Sequence, residues 1–173
     1  MKPELSKVSL GLKILAFVLI IICMGLGSHA IDSGVNHGPL WKCAVASVVF
    51  DLAFLLFQPL IIGARLKGNK TVPTQITRCF DNLPKCPTWI ETAILVTGAI
   101  LYLIFGVVFI YYTTGTHRVG QLRINISQLP GASKGHALGS MCLVTSLNMA
   151  SDAIVVFIEK LSANSASPVL ILD

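Results

Sequence analysis

The stretch IETAILVTGAILYLIFGVVFIYY, residues 90–112, decides the fold of this chain, because Glu91 is its only charged residue. A helix needs roughly 20 apolar residues to cross a hydrocarbon core of about 30 Å. Three more apolar runs of similar length lie at about residues 8–27, 43–64 and 137–158. We therefore predict an all-α fold, a four-helix transmembrane bundle with short loops, forming one tetraspan membrane domain over residues 1–173.

The overall composition agrees with a membrane protein. Hydrophobic residues make up 54% of the chain and charged residues 12%, whereas soluble domains carry about 25% charged residues. Four uninterrupted apolar surfaces would be insoluble in water, so we expect a multi-pass integral protein whose first partner is the lipid bilayer. The net charge of +5 needs no nucleic acid to explain it.

The distribution of Lys and Arg predicts the orientation. With the first residue inside the cell, inner segments hold nine of these residues and outer segments hold four. Basic residues favour the cytoplasmic side of a membrane, so both termini are expected in the cytoplasm. The first run has the basic start of a signal peptide, but its length and the three spans that follow favour a retained helix.

Polar residues inside two of the spans are the sharpest functional candidates. Helical spacing places Ser47, Asp51 and Gln58 on one stripe of span two and Thr145, Asn148 and Asp152 on one stripe of span four. We expect no basic residue deep in any span to neutralise the carboxylates of Asp51 and Asp152. We expect the two stripes to bond to each other as interhelical glue, at about 0.6 to 2 kcal/mol per bond. The alternative is an ion or proton path through Asp51 and Asp152.

Small residues predict where helices approach closely. Gly98 and Gly106 lie on span three, and Gly135 and Gly139 form a Gly-x-x-x-Gly spacing at the start of span four. Such residues let helix backbones pack together in membranes. The default is packing within the bundle, and the alternative is lateral contact with another membrane protein or a second copy of the chain.

Residues outside the spans supply two modification hypotheses. Asn125 begins an Asn-x-Ser sequon in the second outer loop and would be open to N-glycosylation there. Cys79 and Cys86 lie in the cytoplasmic loop, where juxtamembrane cysteines are targets for palmitoylation. We find no metal-ligand spacing, cofactor fingerprint or catalytic motif, and we expect no enzymatic activity, cofactor or metal.

Span four also carries a family resemblance. The run from Gly135 to Asp152, with Gly139, Cys142 and Asn148 between them, resembles the arthropod Snakeskin-like group of small tetraspans. The short loops are similar to the MARVEL-type arrangement, whereas claudins and tetraspanins need outer-loop cysteine motifs that this sequence lacks.

The resemblance implies a structural protein of smooth septate junctions in epithelia. Such a protein would sit in the plasma membrane at lateral cell junctions, assemble with other integral membrane junction proteins and contribute to barrier function. A MARVEL-like organiser of membrane trafficking and a small ion or proton channel or carrier are the alternatives.

Overall fold

The computed structural model of this chain describes residues 3–32, 39–67, 88–114, 116–119, 122–125 and 132–165. These residues form four helices and one short hairpin. The helices are α1 (Pro3–Asp32), α2 (Pro39–Lys67), α3 (Thr88–Thr114) and α4 (Ala132–Ser165), and the strands are β1 (Thr116–Val119) and β2 (Leu122–Asn125).

Each predicted span lies inside a longer helix. All four helices are long and apolar enough to cross a bilayer, with candidate spans at Leu5–Ile31, Trp41–Gly63, Trp89–Thr114 and Ser133–Ser162. The helices extend past the apolar runs because a helix satisfies its own backbone hydrogen bonds, so polar residues can continue it beyond the hydrocarbon core. Pro3 and Pro39 stand first in α1 and α2, where the missing N–H of proline costs no helical hydrogen bond.

The segment between α3 and α4 contains two short strands, β1 and β2. β1 and β2 pair antiparallel, with Thr116 opposite Asn125 and Val119 opposite Leu122. In the sequence, Gly120 and Gln121 separate the two strands, and a Gly-X pair is typical of a two-residue hairpin connection. The predicted four apolar helices are confirmed, and the strand pair is a local element of the segment expected as the second outer loop.

Neighbouring helices run antiparallel around the bundle. α4 packs against both α3 and α1, α1 packs against α2, and α2 meets α3 over a much smaller interface. The Ser146 hydroxyl donates to the carbonyl oxygen of Ala99 at 2.7 Å and so ties α4 to α3. The ring pairs Phe50–Phe105 and Phe54–Tyr102 connect α2 to α3. The start of α1 and the end of α4 therefore lie at the same end of the bundle, here called the terminal end, and its cytoplasmic location stays a prediction.

The outer surface of the bundle exposes many large apolar side chains. Leu147 is 69% exposed and Leu56 is 68% exposed, and large apolar side chains on all four helices are similarly uncovered. Inside lies a core cluster built around Ile20, Tyr102 and Met149. Apolar side chains on both faces of every helix are typical of a protein whose solvent is lipid.

The glycines singled out in the sequence lie at close helix contacts. A Cβ on Gly106 would stand 2.7 Å from Leu143 Cδ2 and 3.0 Å from the carbonyl oxygen of Gly139, and a Cβ on Gly139 would meet Phe109 and Ile110 at 3.0 Å. A Cβ on Gly135 would meet Thr113 at 2.6 Å. A Cβ on Gly98 would meet Met149 at 2.7 Å and Phe54 at 2.9 Å. All four therefore serve packing of α3 with its neighbours.

We predict that Gly106→Ala destabilises the bundle, because the new methyl group meets a backbone oxygen that cannot move independently. The expected loss is about 1 to 3 kcal/mol in the free energy of unfolding. Gly25→Ala is the matched control, since a Cβ on Gly25 meets nothing within 4 Å, and it should be neutral or stabilising by up to about 1 kcal/mol. Denaturant unfolding in detergent micelles measures both, and equal stabilities of the two variants would contradict the close contact of α3 with α4.

Candidate functional site

A buried ion network joins three helices toward the terminal end of the bundle. Lys13 of α1 is completely buried. Its Nζ lies 2.5 Å from Oδ2 of Asp152 in α4 and 2.8 Å from Oε1 of Glu91 in α3. Nζ also donates to the Ser9 hydroxyl at 3.1 Å, and Ser9 in turn donates to Asp152 Oδ1 at 2.7 Å. One cation thus faces two carboxylates, and both carboxylates are nearly inaccessible.

Lys13 corrects the interpretation that no basic residue lies deep in a span. It is the sixth residue of the predicted run 8–27, between Leu12 and Ile14, yet its charge was counted with the flanking inner segment. Its position within the run was the signal that could have identified it. Glu91 and Ser9 were also missed, and Ser9 precedes Lys13 by one helical turn, which places the two on one face.

The polar stripe of α4 bonds to α1 rather than to α2. Besides the Asp152 contacts, the Asn148 side chain donates to the carbonyl oxygen of Leu12 at 3.0 Å. Thr145 lies 3.5 Å from Cys23 Sγ and donates to the Met141 carbonyl in its own helix. The predicted pairing of the α2 and α4 stripes is wrong because these two helices lie across the bundle from each other.

A second polar cluster lies near the middle of the spans. The Tyr102 hydroxyl of α3 donates to Asp51 Oδ1 of α2 at 2.5 Å, and both side chains are buried. Cys23 of α1 and Cys142 of α4 are both completely buried and belong to the same core cluster as Tyr102. Each helix therefore contributes a polar side chain to this cluster.

The α2 stripe is largely without hydrogen-bond partners. Within the described part of the chain, Ser47 Oγ, Asp51 Oδ2 and both amide atoms of Gln58 are buried and make no hydrogen bond to protein. Ser47, Asp51 and Gln58 are each at most 1% exposed. A buried polar group without a partner costs about 1 to 3 kcal/mol, so this stripe is an unusual feature for a helix in an apolar bundle.

The sparse contact between α2 and α3 leaves a groove of about 530 Å³ on the outer surface, here called the α2–α3 groove. Its lining is apolar except for Thr97. Four aromatic and three small side chains contribute to its lining: Phe50, Phe54, Phe57 and Trp89, and Ala53, Ala93 and Thr97.

The remaining sequence candidates lie outside the side chains that the structure describes. Cys79 and Cys86 lie outside the described residues. Asn125 ends strand β2, and its backbone is described but its side chain is not. Among the described residues, no group of three or more His, Cys, Asp or Glu side chains could hold a metal ion. The described polar side chains of the two clusters form ion pairs and hydrogen bonds inside the bundle.

We predict that Lys13→Met severely destabilises the protein, because it leaves Asp152 and Glu91 buried without their cation. Removing one partner of a buried ion pair costs about 3 to 5 kcal/mol. The double variant Lys13→Met/Asp152→Asn should recover at least about 1 kcal/mol of that loss, since residues in one network couple. Unfolding in detergent micelles measures the cycle.

Lys7→Met is the control for this cycle, because Lys7 lies on the same helix and is exposed. It should change stability by less than about 0.5 kcal/mol. If Lys13→Met and Lys7→Met unfold alike, the ion network does not hold the helices together.

Comparison of the chain with known proteins identifies no relative. No family model, no curated protein and no solved structure matches the chain. The interpretation of the two polar clusters and the groove therefore depends on the physical chemistry of the residues themselves.

Proposed function

We propose that this chain is a structural tetraspan membrane protein that associates laterally with a transmembrane helix of another integral membrane protein. The observation that carries the proposal is the α2–α3 groove, an aromatic-walled apolar opening between two helices that are otherwise in thin contact. It extends from Trp89 to Leu101 on α3, which is about 18 Å along a helix axis. That length accommodates about three turns of a partner helix.

The lining of the groove favours a helix as its occupant over a lipid chain. Ala93 and Thr97 are exposed and one turn apart on α3, which is the small-xxx-small spacing that lets a second helix approach closely. The Thr97 hydroxyl can also bond across such an interface. Trp89 is 66% exposed and Phe57 is 53% exposed, so large rings are available to flank a partner helix on either side.

The ion network supports a structural role for Asp152. A carboxylate held by Lys13 Nζ and the Ser9 hydroxyl is neutralised in place and ties α4 to α1. The same lysine contacts Glu91 and so includes α3. Three helices fixed in this way form a rigid support for the groove, and that use of Asp152 is favoured over a role in ion conduction.

The resemblance in span four implies the location of this association. We propose that it takes place in the plasma membrane of epithelial cells, at lateral smooth septate junctions, where the protein contributes to barrier function. The alternative location is a vesicle membrane, as for a MARVEL-like trafficking organiser.

Imaging a tagged full-length protein in polarised epithelium distinguishes these locations. We expect the tagged protein to concentrate at lateral cell contacts and its depletion to increase the paracellular flux of an inert tracer. A distribution confined to intracellular vesicles, with unchanged tracer flux, would contradict the junctional location and favour the trafficking alternative.

We predict that a photo-crosslinking residue at position 97 captures a transmembrane segment of another protein in native membranes. The same probe at position 147 is the control, because Leu147 is exposed on α4, away from the groove. Mass spectrometry of the adducts identifies the captured segment as a partner helix, a second copy of this chain or a lipid.

Filling the groove tests whether the capture depends on it. Ala93→Phe should lower the yield of the position-97 adduct about tenfold, equivalent to about 1.4 kcal/mol of association free energy. Ala137→Phe, at an exposed position on α4, should leave the yield unchanged. Lipid adducts alone, adducts to a second copy alone, or equal protein adducts at positions 97 and 147 would each overturn the proposed occupant.

A further inference from the structure

The buried stripe of α2 carries an inference that does not depend on the groove. Asp51 is completely buried near the middle of its span, and Oδ1 accepts a hydrogen bond from Tyr102 while Oδ2 has no partner among the described residues. An isolated carboxylate costs several kcal/mol in such an environment unless it is paired or protonated.

No cation faces Asp51 from the described parts of the neighbouring helices. The titratable groups around it are Cys23 on α1, Tyr102 on α3 and Cys142 on α4. All three are neutral when protonated. Lys13, by contrast, makes its described contacts with Ser9, Glu91 and Asp152. Asp51 is therefore a carboxyl group whose charge only a proton or a small mobile ion can balance.

The two other members of the stripe provide a route for that proton. Ser47 stands one turn from Asp51, close enough for a single water molecule to bridge the two side chains. Gln58 stands seven residues away on the other side, about 10 Å along the axis, a separation that roughly three hydrogen-bonded waters cover. Ser47 Oγ and both amide atoms of Gln58 are buried with unused bonding capacity, which is the polar lining that internal water requires.

Helix register indicates where the route leads. A Cβ on Gly27 of α1 would lie 3.5 Å from Ser47 Oγ, so these two positions are level. α1 and α2 are antiparallel and rise equally per residue. Eleven residues further along α2, Gln58 is therefore level with Ala16, within one turn of Lys13. From Asp51 to Gln58, the stripe therefore runs from the middle of the span toward the level of the ion network.

We propose that Asp51 is a reversible proton-binding site inside the membrane, reached through water molecules held by Ser47 and Gln58. Protonation forms an O–H bond on Asp51 Oδ2 with a proton delivered along the water file. The Tyr102 hydroxyl keeps its hydrogen bond to Oδ1, and deprotonation returns the proton to the same file. The ligand is a proton, and no oxidant, reductant or metal takes part.

The test is infrared spectroscopy of the full chain reconstituted in lipid vesicles. We expect a protonated-carboxyl band that is lost at high pH, shifts when H₂O is exchanged for D₂O, and is absent in Asp51→Asn. Gln58→Leu should keep the band and slow its exchange about tenfold, the rate change that one lost water-mediated hydrogen bond produces. Ser47→Ala should also slow the exchange, and Ser151→Ala, at an exposed serine of α4, should not.

Three results would overturn the proposal. A spectrum of Asp51→Asn identical to that of the parent at every pH would mean that Asp51 binds no exchangeable proton. A band that does not shift in D₂O would mean that the site is dry. A band removed by added Na⁺ at constant pH would assign the site to a metal cation. None of these results bears on capture at the groove, so the two proposals fail independently.

Discussion

The rest of the structure depends on the burial of one positive charge. Moving an ammonium group out of water costs several kcal/mol, and the cost is recovered only where the geometry of its partners is good. Lys13 obtains those partners from two other helices, Asp152 of α4 and Glu91 of α3, and from Ser9 one turn away. Separating any of these helices would leave a charge in hydrocarbon. The network therefore constrains how α1, α3 and α4 are placed and rotated relative to one another.

The sequence was enough to predict where the four spans lie, but not which spans pack against each other. Apolar length decides where a helix crosses the bilayer, so residues 90–112 and the three other runs lie within α1 to α4. The polar faces were visible too, since Ser47, Asp51 and Gln58 are all buried. Periodicity, however, shows only which residues share one face of a helix. It does not show which other helix packs against that face. The pairing of the α2 and α4 stripes was wrong for that reason.

The misplacement of Lys13 has a different physical origin. A lysine near the end of an apolar run usually extends its side chain to the headgroups, and counting it with the inner segment followed that rule. The rule fails here because carboxylates from two other helices come within 3 Å of the ammonium group. Such partners lie 78 and 139 positions away in the chain, and no local pattern in one sequence identifies them. Gly106 and Gly139 were easier to interpret, since a small residue serves close packing whichever helix comes near.

The two proposals both concern α2, and the reason lies in how the network is built. Lys13, Glu91 and Asp152 tie α1, α3 and α4 to one another, and α2 supplies none of these charges. Among the described side chains of α2, Asp51 accepts a hydrogen bond from Tyr102 of α3. The contact of α2 with α3 is thin enough to leave the groove, while its buried stripe retains polar atoms without protein partners. The α2–α3 groove and the buried polar stripe are thus both features of the helix that supplies no charge to the ion network.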